Sequence, residues 1–311
     1  MANENNNFVF LVKICMIDNL FKYLSSCELY RYNNFYRQHD RIHKCESEHV
    51  SDDIIQLMRC CKEIKNLVKV RLIGKVEFAL SVVNKWNHEQ KYRVRHLFID
   101  EDSEFINDQM LPCLTHLRFS WVSKVQCNIP KTLTRLEFGG GLDKIITQDM
   151  LPESLKYLTF GYLWNQKLMK NVLPVNLTYL EFGKCFNKPL EKGVLPEKLE
   201  YLILGRCFDQ PLDKIILPEN LTFLRFGREF KQVLDTNIFP KKLTHLKFGI
   251  YFNNPLIDSN GQNVLPDGLK YLQLGSQYTQ PFFGLDGECV LPKSLTALNI
   301  GKRLSELLDD F

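Results

Sequence analysis

The first hundred residues contain no proline, and Gly74 is their only glycine. Both residue types end helices and set turns, so this stretch has room for long helices that the rest of the chain lacks. No Cys-x-x-Cys pair occurs among the ten cysteines, and 311 residues is not the size of a disulfide-stapled mini-protein. Met1 to Asn7 has no Lys or Arg, which makes a poor signal-peptide start. The apolar run Phe8–Ile17 is broken by Lys13 and is too short to span a bilayer. Charge of one sign is missing too. Forty Lys and Arg face 36 Asp and Glu, a net charge of +4, which makes no general electrostatic case for nucleic acid. There is no Gly-rich phosphate loop, no Gly-x-Ser-x-Gly elbow and no His-Glu-x-x-His, so neither catalysis nor a cofactor is expected. With 45% apolar and 24% charged residues the chain reads as globular. The expectation is a cytoplasmic protein of a reducing compartment, with no membrane contact.

What the chain has instead is a repeat. All 13 prolines lie at or after Pro112, and 15 of the 16 glycines lie at or after Gly139. Pro follows an apolar residue at 112, 130, 152, 174, 196, 218, 240, 266 and 292. The intervals are 18, then 22 five times, then 26 twice. The copy from Leu173 reads Leu-Pro-x-x-Leu177-x-x-Leu180-x-Phe182-Gly183-x-x-Phe186-Asn187-x-Pro189-Leu190. The next carries Leu195, Pro196, Leu199, Leu202, Leu204, Gly205, Phe208, Asp209, Pro211 and Leu212 in the same places.

Each place has a physical reading. Leu180-x-Phe182 has period two and predicts a short strand with one buried face. Gly183 and its equivalents sit where the chain leaves the strand, which calls either for a positive φ or for close backbone approach. Proline lacks an N–H, so both proline slots belong at unpaired corners. Asn165, Asn187, Asp209 and Asn253 follow an aromatic residue and are placed to bond turn backbone. One such unit cannot close its own core. Stacking in register does so, with strands about 4.8 Å apart, and nine coils would span roughly 40 Å. Six apolar slots per coil, each worth about 1.5–3 kcal/mol when buried, give a continuous core. The longer intervals predict edge loops at Asp258–Gly261 and near Asp286–Gly287.

The unit resembles the FNIP repeat, a relative of leucine-rich repeats abundant in proteins of social amoebae and amoeba-infecting giant viruses. The likeness covers about residues 111–304, and a weaker copy runs through Val94, Leu97, Ile99 and Phe105. It implies a non-enzymatic recognition solenoid, often attached to an N-terminal F-box. In a virus, the place of action would be the host cytoplasm.

Ahead of the repeat, Phe8–Leu24, Glu28–Ile42 and Asp52–Asn66 carry apolar residues at helical spacing. Within them, Ile17-x-x-Leu20-Phe21-x-Tyr23-Leu24-Ser25-x-x-Glu28-Leu29 resembles the heart of an F-box, although the usual Leu-Pro opening is missing. The resemblance implies that Ile17, Leu20, Phe21, Leu24 and Leu29 dock on the small adaptor subunit of a cullin–RING ubiquitin ligase. The alternative is a plain helical cap on the first coil. The expected fold is therefore an α+β repeat protein. Residues 1–66 form a helical module, 67–110 a connecting segment with a degenerate first coil, and 111–311 a single-sheet parallel β solenoid of leucine-rich-repeat-like coils with a C-terminal cap. The expected function is substrate recruitment for that ligase, or else a stand-alone interaction scaffold.

Residues alternating with the buried Leu and Phe must point outward, toward the concave face. One outward column reads His116, Arg135, Tyr157, Tyr179, Tyr201, Phe223, His245, Tyr271 and Ala297. Beside it Arg206, Arg225, Arg228 and Lys247 form a basic patch over three coils, which suits an acidic segment of a protein partner. Stacked tyrosines also stabilise repeats with no ligand at all. Two weaker patterns point elsewhere. His39, His43, Cys45 and His49, with Cys60 and Cys61, lack the paired spacing that a zinc site needs. Cys185 and Cys207 share a slot in consecutive coils, and are expected as small reduced residues.

Overall fold

A computed structural model describes residues 77–79, 91, 94–99, 111–119, 129–212, 217–284 and 287–301. All of them fall within one compact unit, Ser47–Lys302. The predicted helical module, its F-box-like residues and the histidine cluster lie outside the described residues.

A Leu flanked by outward residues is the seed of every strand from β2 onward. The strands are β1 Glu77–Ala79, β2 His96–Ile99, β3 His116–Phe119, β4 Arg135–Glu137, β5 Tyr157–Thr159 and β6 Tyr179–Glu181. They continue as β7 Tyr201–Ile203, β8 Phe223–Arg225, β9 His245–Lys247, β10 Tyr271–Leu274 and β11 Ala297–Ile300. Each pairs in parallel only with its sequence neighbours, giving one 11-stranded sheet in chain order. The single-sheet parallel solenoid of leucine-rich-repeat type expected from the spacing is what forms. The weak copy at Val94 supplies β2, whereas β1 precedes any recognisable repeat.

Register follows the repeat: Leu158, Leu180, Leu202, Leu224 and Leu246 align across five strands, and all are fully buried. Ahead of β4 to β11 an apolar-Pro-x-x-Leu segment closes a reverse turn. The Leu177 N–H donates to the Pro174 carbonyl at 3.1 Å, and Leu199 to Pro196 at 3.0 Å. Behind β6, β7 and β9 a second turn runs Gly-x-x-Phe, with the Phe186 N–H donating to the Gly183 carbonyl at 3.2 Å, and behind β5 Trp164 takes the place of the Phe. This turn brings two aromatic residues of one coil face to face. The ring centroids of Phe182 and Phe186 are 4.0 Å apart, those of Phe248 and Phe252 3.9 Å, and those of Phe160 and Trp164 3.9 Å. Rings also stack from coil to coil, as Phe186 on Phe208 at 5.9 Å. The phenylalanine excess is thus a double file of rings through the core.

Of the two roles open to the repeat glycines, close approach is the one used. A methyl group on Gly183 would overlap the Gly161 carbonyl oxygen, and one on Gly205 would overlap that of Gly183. Positive φ occurs among the described glycines only at Gly193, Gly261 and Gly287. The Asx residues also act differently from expectation, bonding the next coil rather than their own turn. The Asp143 carboxylate accepts the Asn165 N–H at 2.9 Å, the Asn165 side chain accepts that of Asn187 at 2.9 Å, and Asn187 accepts that of Asp209 at 3.0 Å. Asp209 passes the chain to the Lys231 N–H at 3.0 Å. The side chains therefore continue a backbone ladder where no strand exists.

Both inserted segments form small antiparallel excursions, bridged at Ile257–Asn263 and Phe283–Cys289. The first turns on Asp258, 6% exposed, whose Oδ1 accepts the N–H groups of Asn260 at 2.8 Å and Gln262 at 2.9 Å. Donation from the Gln262 backbone, above all, holds the Asp258 carboxyl below its ordinary value.

Candidate functional site

The strand triplets fix one outward face. From β2 to β10 the Leu of each strand is buried in the core, so the residues on either side of it point away from it. Pairing aligns His96, His116, Arg135, Tyr157, Tyr179, Tyr201, Phe223, His245, Tyr271 and Ala297 in one column. That is the column predicted from spacing, extended by His96. From Tyr157 the rings form an unbroken file. Centroid separations are 5.8 Å for Tyr157–Tyr179, 6.2 Å for Tyr179–Tyr201, 5.8 Å for Tyr201–Phe223, 6.2 Å for Phe223–His245 and 5.8 Å for His245–Tyr271. These gaps hold one ring against the next and leave no slot between them for a planar base. Tyr157 and Tyr201 are each 43% exposed, and His245 is exposed as well.

The neighbouring column runs Arg118, Glu137, Thr159, Glu181, Ile203, Arg225, Lys247, Gln273 and Asn299. Its charges fall into two halves. Over β4 and β6 the carboxylates engage the first column: Arg135 Nε donates to Glu137 at 2.6 Å, and the Tyr179 hydroxyl to Glu181 at 2.7 Å. Over β8 and β9, Arg225 and Lys247 are direct cross-strand neighbours of like charge. Such pairing is unfavourable on a sheet. Lys247 joins the two columns, with its Nζ 5.7 Å from the Phe223 ring centroid and 5.4 Å from that of Tyr271.

Arg206 and Arg228 occupy the place after the repeat glycine, one coil apart. Arg228 leans on a residue that spacing alone did not single out. Its guanidinium lies 5.2 Å from the Tyr251 ring centroid and donates to the Tyr251 hydroxyl at 3.2 Å. The signal for Tyr251 was available only as an aromatic two places beyond Gly249.

At the other end of the column His96 and His116 stack at 4.1 Å. Burial, then His116 and Arg135, lower the His96 pKa from 6.5 to about 4, and burial followed by Arg135 lowers that of His116. Both rings therefore resist protonation in the folded state. The fold keeps their contribution above pH 6.5 and loses it as the pH falls toward 4. The melting temperature should drop across that window, and His96→Gln with His116→Gln should flatten the drop. Asp258 acts only below its ordinary value of 3.8, outside the window. An unaltered slope in the double variant would show that the pair does not set it.

Among the described residues no group of three or more His, Cys, Asp and Glu could hold a metal ion. No helix there is long and apolar enough to cross a membrane. With this geometry in place, the family assignment rests on the whole repeat array. The FNIP Repeat model matches residues 125–163, 164–207, 208–251 and 252–303, more than half of the chain. The chain belongs to the FNIP-repeat family. CroV588, a giant-virus protein described as a novel circular LRR protein structure, is 37% identical with a TM-score of 0.57. The match covers 68% of this FNIP-repeat chain and 34% of CroV588. YopM from Yersinia enterocolitica WA-314 is 18% identical, covers 67% of this chain and 51% of its own, and has a TM-score of 0.32. The chain thus spans about a third and a half of these two proteins. No curated protein matches it. A leucine-rich-repeat-type solenoid of this kind is a scaffold suited to protein–protein interaction.

Proposed function

We propose that this FNIP-repeat chain binds an acidic segment of a partner protein along the outward face of its sheet. The observation that carries the reading is the juxtaposition of Lys247 and Arg225 with the ring file Tyr157, Tyr179, Tyr201, Phe223, His245 and Tyr271. Aromatic rings with arginine beside them are the side chains that dominate binding energy at protein interfaces. Two cations side by side on adjacent strands concentrate positive charge on this face, which complements the carboxylates of an acidic segment. Arg206 and Arg228 extend the positive charge along the coils. The ring file by itself also serves stability, so the charged pair is the discriminating element. The reading is of an interaction protein acting in the cytoplasm, without catalysis, and the test is the charge reversal developed in the Discussion.

We further infer, from Ile17, Leu20, Phe21, Leu24 and Leu29 alone, a link to a ubiquitin ligase. An F-box works by inserting apolar helix faces into the ligase's small adaptor subunit, and the solenoid would then hold the protein to be modified. The stand-alone scaffold is the competing reading. Full-length protein is expected to co-purify with the small adaptor, and Leu20→Asp with Leu24→Asp is expected to abolish that association. If the unaltered protein shows no association while its repeats are folded, the scaffold reading replaces the ligase one.

A further inference from the structure

Two cysteines on neighbouring coils are the nucleophilic pair that the binding face does not use. Cys185 and Cys207 occupy the same place in consecutive repeats, two residues beyond Gly183 and Gly205. Both are free, and both are partly exposed. The backbone around them is held in register on every side. The Cys185 N–H donates to the Tyr162 carbonyl and the Cys207 N–H to the Lys184 carbonyl, each at 2.9 Å. The residues that follow, Phe186 and Phe208, stack at 5.9 Å. Two places earlier, Gly205 presses against the Gly183 carbonyl with no room for a methyl group. Coils clamped this way keep about the strand spacing of 4.8 Å, inside the range of about 4.4–6.8 Å between Cα atoms that a disulfide requires. Burial first, and then Cys207, raise the Cys185 pKa, while Lys184 lowers it, so the site rests on the closeness of the two thiols and not on an activated thiolate. In the same column Leu163 precedes the pair and Glu229 follows it, so the pairing is confined to these two coils.

We propose that Cys185 and Cys207 form an oxidisable dithiol site that hydrogen peroxide converts into an inter-coil disulfide. One thiolate attacks the peroxide oxygen, the O–O bond breaks, and a sulfenic acid forms with release of hydroxide, which takes up the proton the thiol gave. The second thiol then attacks the sulfenic sulfur, the S–S bond forms and water leaves. Two thiols are oxidised, the peroxide is reduced, and the balance is one peroxide consumed and two waters formed. The bridge closes a loop of one repeat between β6 and β7 and fixes the coil that carries Lys184 to the coil that carries Arg206. It constrains the unfolded chain, so the oxidised protein is the more stable form.

The test treats dilute, reduced full-length protein with hydrogen peroxide, blocks the remaining thiols with iodoacetamide, and digests without reductant. Cleavage after Lys184 and Arg206 releases the two cysteines on separate peptides. The expected result is a cross-linked pair that has lost two hydrogen masses, together with a melting temperature above that of the reduced protein. In Cys185→Ser and in Cys207→Ser the peptide pair and the rise in melting temperature both disappear. Carbamidomethyl groups on both cysteines after a treatment that oxidises the exposed Cys289 would overturn the proposal. So would over-oxidised cysteines without a bridge, or bridges from Cys185 or Cys207 to other cysteines.

Discussion

Replacing Phe182 by alanine is expected to destabilise the solenoid by about 3–5 kcal/mol, the range for deleting a core aromatic side chain. Phe182 is 3% exposed and touches rings in its own coil and the one before it. Phe186 stands 4.0 Å from it, Phe160 5.6 Å and Trp164 6.0 Å. Removing the ring opens a gap in its own file and strips Phe186 and Trp164 of a neighbour, and the clamped backbone at Gly183 prevents the coils from closing over it. Leucine in the same place is a milder change. Leu204 already fills the equivalent position in the next coil at 2% exposure. Phe182→Leu keeps most of the buried apolar side chain and is therefore expected to cost clearly less than the alanine. Gly183→Ala should fall on the severe side of that comparison, because its new methyl meets backbone rather than a movable side chain. Denaturant unfolding of the three variants checks the order. An alanine at 182 that costs no more than the leucine would mean that the ring files do not hold the coils together.

The repeat was legible because one spacing reports both the strand and its inward face. Leu180-x-Phe182 and its copies predict the alignment of Leu158, Leu180 and Leu202, and that alignment dictates the outward columns. What the spacing could not supply was the choice of partner across the stack. Asn187 is an Asx residue in a turn by sequence, and its own turn was the expected partner. Only the stacked coils place the Asp209 N–H within reach at 3.0 Å. Gly183 admitted two roles for the same reason, since a sequence does not show how near the Gly161 carbonyl lies. β1 was missed because Glu77–Ala79 carries neither the leading Leu-Pro nor the trailing glycine. In the candidate site, the ring column and the pair Arg225 and Lys247 were visible from alternation. The seat of Arg228 on Tyr251 was not, because it joins positions that are 23 residues apart in sequence.

The second large effect is expected on binding. Tyr179→Ala with Tyr201→Ala removes two adjacent rings from the file, along with the hydroxyl that donates to Glu181. Losses of about 2–4 kcal/mol in partner affinity are usual for aromatic anchors at the centre of an interface. Stability should fall as well, by about 0.2–1 kcal/mol for each lost cross-strand contact. This pair alone therefore does not separate recognition from structure. Arg225→Glu with Lys247→Glu does, because it reverses the charge that would attract an acidic segment while every ring of the file stays in place, and the lost contacts of Lys247 with Phe223 and Tyr271 are read separately in the melting temperature.

The most direct measurement compares proteins captured by full-length wild type with those captured by the Arg225→Glu, Lys247→Glu variant, quantified by mass spectrometry after both are shown to melt alike. The account predicts that an acidic partner taken up by the wild type is depleted at least tenfold with the variant, a difference of about 1.4 kcal/mol. It also predicts that rising salt weakens the wild-type capture of that partner. Equal capture by two equally stable proteins would contradict the account.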